Sequence, residues 1–184
     1  MKDLTMTQTV FRPSQAHRWS KCAAFMPFTK DMPEPPTNDA AREGTCAAWL
    51  AETTFKGETA TCVEALNRAH ANGWVVTQDM VDEIQEYVDF MRAKGGALQT
   101  EEYVTAFQDP LIAGTLDTSI STVVDGMLRI NDLKYGRRPV EVVGNAQLII
   151  YAYAKLQMLP AGTVKLIHLS IYQPRAFHHD GPYR

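Results

Sequence analysis

The sequence predicts an α/β or α+β domain in which a small mixed β-sheet is flanked by helices and the N-terminal half is mainly helical. Apolar residues follow helical spacing through much of residues 1–100. Residues from about 101 to 134 are instead rich in Thr, Val and Ile, and a single helical segment and a final strand follow them. A chain of 184 residues is long enough for one domain with a substantial core. We therefore expect a single domain over residues 1–184.

The N-terminal part is predicted to consist of helices joined by loops. Ser14 is a suitable N-cap for a helix over residues 14–22, and the four prolines of residues 26–37 predict a loop. Further helices are predicted over residues 39–55, 60–72 and 77–93, with Thr77 as the cap of the last and Gly95-Gly96 ending it.

The C-terminal part is predicted to form a β-β-α-β core over residues 101–175, followed by a tail over residues 176–184. Asp125-Gly126 lies between two apolar runs and is typical of a hairpin turn. A helix is predicted over residues 145–159. Residues 163–172 (TVKLIHLSIY) carry apolar residues on both faces, which predicts a buried, central strand. A strand-helix-strand order favours parallel pairing of the two strands.

Composition and charge exclude several classes of protein. No apolar stretch reaches the roughly 20 residues of a membrane helix, and residues 1–14 lack the apolar core of a signal peptide, so we expect a cytoplasmic protein without a membrane partner. Three cysteines without a CxxC pair indicate reduced thiols and no structural zinc site. A formal net charge of -3 argues against a protein that coats nucleic acid over a broad surface. A site built from carboxylates and cations remains compatible with that charge.

One group of polar residues is arranged for chemistry. Asp132 and Lys134 are two apart on a predicted strand, so their side chains share a face, and the hairpin can bring Asp117 beside Asp132. Gln147 and Tyr151 are four apart on the next helix and also share a face. Two carboxylates, with the carbonyl oxygen of the intervening leucine, can hold a hard cation such as Mg²⁺, while the lysine can orient or deprotonate a water. This set suits hydrolysis of a phosphodiester.

An isolated D-x-K tripeptide is a weak signal, because it is more often a surface ion pair at a strand end. Asp117 can likewise be a turn residue, and Gln147 a solvent-facing residue of its helix. The combination of features in this order is a more specific signal: a strand aspartate, a hairpin, D-x-K at a strand end, and Q-x-x-x-Y on the following helix.

These motifs resemble the RecB-type nucleases of the PD-(D/E)XK superfamily, a group with a restriction-endonuclease-like core. The likeness is strongest to phage and prophage proteins of the lambda-exonuclease and CRISPR-associated RecB-like kind. The segments that carry the resemblance are spread over nearly the whole chain: SQAHRWSKC (residues 14–22), EGT (43–45), GTLD (114–117), DLKYG (132–136), QLIIY (147–151) and QPR (173–175).

The resemblance implies a role for each matching residue. Asp117, Asp132 and the Leu133 carbonyl would bind the metal, and Lys134 would be the catalytic lysine. Glu43 would approach the metal or a water beside it. Gln147 and Tyr151 would contact the DNA backbone or orient the site. Ser14 and Arg18 would help to bind a terminal phosphate. Arg137 follows the D-x-K strand where a phosphate could lie, with an ordinary exposed loop as the alternative.

The resemblance also implies an activity and its partners. We expect a Mg²⁺-dependent (or Mn²⁺-dependent) deoxyribonuclease, more an exonuclease than an endonuclease, acting in phage recombination or replication. DNA is the expected partner, with a phage single-strand annealing or recombination protein and a homo-oligomer as further expectations. No iron–sulfur cluster is expected, since no cysteine follows Cys62. The alternative is a weakened or inactive protein of the same fold that binds DNA or acts in phage assembly.

Two departures from the family pattern favour that alternative. Relatives often carry a metal-binding histidine soon after E-G-T, where this chain has Ala48. A site without it would depend on carboxylates, which favours Mg²⁺ over Mn²⁺. Larger relatives also continue well past Q-P-R, so part of the DNA-binding surface is expected to be missing or to come from another chain.

Overall fold

The protein has a four-stranded mixed sheet with helices on both sides, which confirms the predicted fold class. The computed structural model describes residues 11–29, 31–33, 36–107, 109–122 and 126–183. The strands are β1 (Ala97–Thr105), β2 (Ala113–Thr122), β3 (Met127–Leu133) and β4 (Leu166–Tyr172), in the spatial order β1-β2-β3-β4. The first three are antiparallel, and β4 is parallel to β3 as the strand-helix-strand order predicted.

The described residues form five α-helices around this sheet, and the three long ones begin at capped N-termini. They are α1 (Ala16–Trp19), α2 (Phe25–Thr29), α3 (Asp39–Phe55), α4 (Gln78–Ala93) and α5 (Ala146–Met158). Asn38, Thr77 and Asn145 each accept a backbone N–H of the helix that they precede, which satisfies donors that would otherwise lack a partner. The predicted helices over residues 39–55, 77–93 and 145–159 are therefore confirmed.

Two hydrophobic clusters hold the helices to the sheet. The α3–α4 pair packs against the carboxyl ends of β3 and β4, where it contacts Leu133 and Tyr172. The Tyr87 ring of α4 stacks on Tyr172 at 4.9 Å between centroids, and its hydroxyl shares a buried 2.9 Å hydrogen bond with Thr118 of β2. Helix α5 covers the other face through a second cluster that includes Leu148. The end of β3 therefore lies between two packed layers.

Buried Lys155 of α5 joins that helix to β1. Its ammonium, on a residue only 3% exposed, donates to Gln99 and forms an ion pair with Glu102. Side chains three apart on a regular strand would point to opposite faces. Both reach Lys155 because the alternation is interrupted at Glu101, whose φ is +49°. The irregularity lies directly before the residues of β1 that border the candidate site.

The prediction of a helix over residues 60–72 was wrong. The structure has only a 3-10 helix, Cys62–Ala65, in this stretch. The chain then turns at Asn67, whose φ is +64°, and a β-bridge joins Ala69 to Val75. Asn72 explains part of the difference, because its side chain bonds the Arg42 carbonyl and the Trp74 N–H and thereby favours a turn.

Two predictions near the N-terminus were also wrong in detail. Residues 14–22 do not form one helix: a 3-10 helix (Pro13–Gln15) precedes α1, and Ser14 lies inside it rather than at its cap. The predicted loop over residues 26–37 instead begins inside the short helix α2. Prolines are tolerated in the first turn of a helix, where their missing N–H has no partner to lose.

The sheet differs from the prediction in two respects. It contains an additional strand, β1, whose sequence ALQTEEYVT gives no clean apolar alternation. Strand β4 is at the edge of the described sheet rather than at its centre, and Leu166 and Ile167 at its start are exposed. The Asp125-Gly126 turn cannot be compared, because Asp125 lies outside the described residues, although Gly126 has the positive φ, +66°, that such turns use.

No helix in the described part of the chain is long and apolar enough to span a membrane.

We expect Lys155→Met to lower the free energy of unfolding by about 3 kcal/mol, because it leaves the Glu102 carboxylate largely buried without its cation. Lys56→Met is the matched control: it breaks the Lys56–Glu52 ion pair on the helix surface and should leave stability almost unchanged. Urea denaturation followed by circular dichroism measures both. Equal effects of the two substitutions would contradict this account of the buried pair.

Candidate functional site

The candidate site forms where β2 and β3 stop pairing. Their ladder runs from Thr122↔Met127 to Thr118↔Asn131 and ends there. Asp117 immediately precedes Thr118 in β2, and its Oδ2 accepts the N–H of Leu133 at 2.9 Å. A carboxylate thus takes the place of a backbone carbonyl at the point where the ladder ends. This local arrangement brings Asp117 beside Asp132, as the predicted hairpin required.

Asp132 is the most buried charged residue of the site. It is 1% exposed, and its Oδ1 accepts the Gln147 amide at 2.9 Å. Its Oδ2 forms an ion pair with Lys134 Nζ at 2.7 Å but accepts no hydrogen bond from the described residues. Buried carboxylate oxygens normally accept hydrogen bonds. The unsatisfied Oδ2 therefore leaves an oxygen with coordination capacity to spare.

The two carboxyl groups lie close enough to affect each other's ionisation. Burial, followed by the Asp132 charge, raises the pKa of Asp117 well above its usual range. Burial also raises the pKa of Asp132, although Lys134 opposes this. Two buried carboxylates at this separation repel each other, and a divalent cation between them would relieve the repulsion.

Lys134 is held as a cation. Burial alone would lower the pKa of its ammonium, but the charges of Asp132 and Asp117 outweigh burial and raise that pKa. Its Nζ also donates to Gln147 Oε1 at 3.3 Å, so Gln147 connects Asp132 to Lys134. In this state Lys134 serves as a hydrogen-bond donor and a positive charge, rather than as a proton acceptor.

Tyr151 supports the strand that carries Asp117. The residue is buried, and its hydroxyl donates to the Thr115 carbonyl at 2.7 Å, so the structure does not present this hydroxyl for an external contact. Burial, followed by the charges of Asp117 and Asp132, raises its pKa. A Cβ on Gly114 would lie 2.8 Å from Pro13 Cδ and 3.2 Å from the Tyr151 hydroxyl. Glycine is therefore the residue that fits at this position of the GTLD segment.

Glu43 is not placed with the two aspartates, which corrects its expected approach to the metal. Its carboxylate forms an ion pair with Arg175 at 2.6 Å, and the Arg175 guanidinium lies 4.8 Å from the centre of the Tyr135 ring. Among the described residues, Glu43, Asp117 and Asp132 do not bring ligand oxygens within 4.8 Å of one another. The reason is the tertiary position of Arg175, which attracts the carboxylate to the outer side of Tyr135.

The QPR segment has a structural role that the sequence did not reveal. Gln173 is 1% exposed, and its Nε2 donates to the carbonyls of Gly136 and Arg138 at 2.7 and 2.9 Å. Its Oε1 accepts the Val140 N–H at 3.1 Å. One buried amide thus fixes the loop that follows Lys134. The motif indicated that this residue matters, but a contact across 33 to 37 residues could not be inferred from spacing.

A cleft of ≈ 910 Å³ opens above these groups. Asp117, Asp132 and Lys134 lie in its lining, as does Ala48, the position at which the nuclease resemblance leads one to expect a histidine. The other lining residues are Arg12, Pro13, Ser14, Ala41, Gly44, Thr45, Tyr103, Ala113, Gly114, Thr115, Leu133, Tyr135, Gln147 and Tyr151. The exposed Arg18 and Arg137 are outside the lining, so their predicted DNA contacts would have to lie beyond the cleft.

Glu101 is a further acidic residue near Asp117 that sequence reasoning missed. The β1–β2 register places the two opposite each other, between the pairs Thr100↔Thr118 and Glu102↔Leu116. Both also line a void of ≈ 10 Å³, about the size of one water. Burial, followed by the Glu52 charge, raises the pKa of Glu101. Since β1 itself was not predicted, no pattern in the sequence could pair these residues.

A second group of potential metal ligands lies near the end of the chain. His178, His179 and Asp180 place one ligand atom each within 4.8 Å of one another, and Glu141 Oε1 lies 3.4 Å from His178 Nε2. However, His178 Nδ1 accepts the Asp180 N–H at 3.1 Å, so that lone pair is already used and the proton of a neutral ring is on Nε2. These contacts join the terminal segment to the loop before α5.

A family profile described as a protein of unknown function (DUF2800) matches residues 9–181. The chain belongs to the DUF2800 family. No curated protein matches it. The match extends from the segment before α1 to the segment after β4, so every strand and helix that the structure describes falls within the region matched by the DUF2800 profile.

We expect Asp117→Asn to stabilise the protein by on the order of 1 kcal/mol without divalent cations, a rise in Tm of about 2–4 °C. Asparagine can still accept the Leu133 N–H and removes a repelled, buried charge. The folded state holds the Asp117 proton more tightly than the unfolded chain. Protonated Asp117 therefore contributes its full stabilisation of the folded state at pH values below the ordinary aspartate pKa. This stabilisation is lost as pH rises through the raised pKa of Asp117.

The advantage of the variant should consequently grow with pH, which thermal melts in chelator across the acidic to neutral range would measure. Asp82→Asn, at an exposed position on α4, is the control and should not show this trend. A lower Tm for Asp117→Asn at every pH would show that the Asp117 charge is favourable in the folded protein.

Proposed function

We propose that this DUF2800 protein is a metal-dependent DNA nuclease of the RecB-like, PD-(D/E)XK type that hydrolyses phosphodiester bonds. The observation that carries the proposal is the buried Asp132, whose Oδ2 has no hydrogen bond from the described residues while Asp117 lies beside it and Lys134 lies 2.7 Å away. The oxygens of two carboxylates are hard ligands, which suit Mg²⁺, with Mn²⁺ as a substitute.

Each residue of the site would have a separate role in hydrolysis. Asp117 and Asp132 would hold the cation, together with the carbonyl oxygen of Leu133. When bound, the cation would polarise the phosphate and acidify a water. Lys134, as an ammonium, would orient the attacking water and offset the negative charge that develops on the phosphate. Gln147 would keep Asp132 and Lys134 in position through its two hydrogen bonds.

The finer details of the proposal follow the family resemblance. We propose exonuclease rather than endonuclease action, in phage recombination or replication in the cytoplasm of a bacterial host, alongside a single-strand annealing or recombination protein. A homo-oligomer would be one means of completing the DNA-binding surface. Exposed Arg18 and Arg137, outside the cleft, would contact more distant phosphates.

A DNA-binding protein with weak or no turnover is the second candidate. It is favoured by the number of ligands: Ala48 provides none, and Glu43 is engaged by Arg175. Two carboxylates and one carbonyl leave more of the coordination shell to water than the family pattern does, and a loosely held cation is a weaker catalyst.

The test is cleavage of end-labelled linear duplex, circular duplex and single-stranded DNA in Mg²⁺, Mn²⁺ or chelator. We expect metal-dependent loss of label from linear substrates, and Lys134→Met should reduce the rate by 100-fold or more, roughly the effect of losing one charge-stabilising donor. Lys56→Met, at an exposed lysine that follows the last residue of α3 and lies outside the cleft lining, should retain the wild-type rate.

Two results would contradict the proposal. Equal rates for Lys134→Met and wild type would show that any cleavage comes from a contaminant or from another site. DNA binding without cleavage in any metal would favour the second candidate instead.

A further inference from the structure

Tyr103 is an exposed aromatic residue in the cleft lining, whereas the other two tyrosines of that lining, Tyr135 and Tyr151, are buried. Tyr103 is 56% exposed, and the β1–β2 register pairs it with Thr115. Thr115 is two residues before Asp117, which corresponds to about 7 Å along a strand. Tyr103 therefore lies two residue positions along the sheet from Asp117. An exposed tyrosine ring inside a cleft offers a flat apolar face on which a planar group can stack.

The wall contributed by α3 is made of small side chains. Ala41, Gly44, Thr45 and Ala48 all line the cleft, and a Cβ added to Gly44 would meet nothing within 4 Å. There is consequently free space beside this wall. A planar group stacked on Tyr103 would not have to displace long side chains of α3. The small residues alone would not indicate a ligand, but the unsatisfied, 1% exposed Asp132 oxygen in the same lining does.

The position of Asp132 also limits the form of the substrate. A phosphodiester can reach this buried residue only by entering the cleft, and ≈ 910 Å³ is the size of a small-molecule site. A duplex cannot enter a space of that size. In the interior of a duplex, moreover, both faces of each base are already covered by neighbouring bases, so such a base can stack on a protein ring only after it has been unpaired and unstacked.

We propose that the cleft takes a single DNA strand, one base of which stacks on Tyr103 while the adjoining phosphodiester lies at Asp117 and Asp132. This inference rests on the proposed nuclease function and adds the form of its substrate: single-stranded DNA, or the unpaired end of a duplex. Stacking on an aromatic ring is independent of base identity, because every base offers a π-face. The cleft would therefore bind without sequence preference.

The experiment measures binding separately from cleavage, in chelator. The probe is a short oligothymidine with one central 2-aminopurine, whose fluorescence falls when the base stacks, compared with the same strand in a blunt duplex. We expect the wild type to bind the single strand more tightly than the duplex and to quench the probe. Tyr103→Ala should weaken single-strand binding by about 5- to 150-fold and abolish quenching.

Two further variants separate stacking from general damage. Tyr103→Phe keeps the ring and should retain both affinity and quenching. Tyr153→Ala is the matched control: Tyr153 is 41% exposed on α5 and stacks on Phe107 outside the cleft lining, so its loss should leave binding unchanged. Thermal melts check that each variant is folded.

The outcomes distinguish this inference from the proposed function. Unchanged binding by folded Tyr103→Ala, or tighter binding of the blunt duplex, would overturn the single-strand inference even if metal-dependent cleavage needs Lys134. Tyr103-dependent quenching without cleavage in any metal would support the strand-binding cleft while removing the nuclease activity.

Discussion

The structure of the site depends on the burial of two like charges at the end of one β-ladder. Asp117 and Asp132 come together because β2 and β3 stop pairing after Thr118↔Asn131, and the Asp117 carboxylate then binds the Leu133 N–H in place of a strand carbonyl. Such a pair is unfavourable by itself. Lys134 offsets part of the repulsion, but one ammonium cannot neutralise two carboxylates. A divalent cation would allow both carboxylates to be ionised at the same time, which is the physical basis for inferring one here.

Most of the surrounding structure holds this arrangement in place. Gln147, at the capped start of α5, fixes Asp132 and Lys134, and Tyr151 one turn later fixes the β2 backbone at Thr115. On the other face, Tyr87 bonds Thr118. Strain and unfavourable charge are common at functional sites, where the remainder of the fold has to compensate for them. Here the compensation comes from both helical layers.

The QPR and EGT segments act on the site indirectly. Gln173 fixes the loop after Lys134, and Arg175 attracts Glu43 and covers Tyr135. Segments far apart in sequence therefore meet on the outer side of the D-x-K strand, where they restrict how its end can move. The same contacts hold the Glu43 carboxylate beside Arg175 rather than beside the two aspartates.

Local sequence was sufficient for the elements whose signals are short-range. Helical periodicity and caps determined α3, α4 and α5, and spacing by two or four residues correctly grouped Asp132 with Lys134 and Gln147 with Tyr151. Tertiary structure decided the rest. The 60–72 segment turns because Asn72 bonds α3, β1 is held by Lys155 of α5, and β4 lies at an edge. Glu43, Glu101, Tyr103 and Gln173 likewise obtained their places from contacts that bring distant segments together, which no local pattern records.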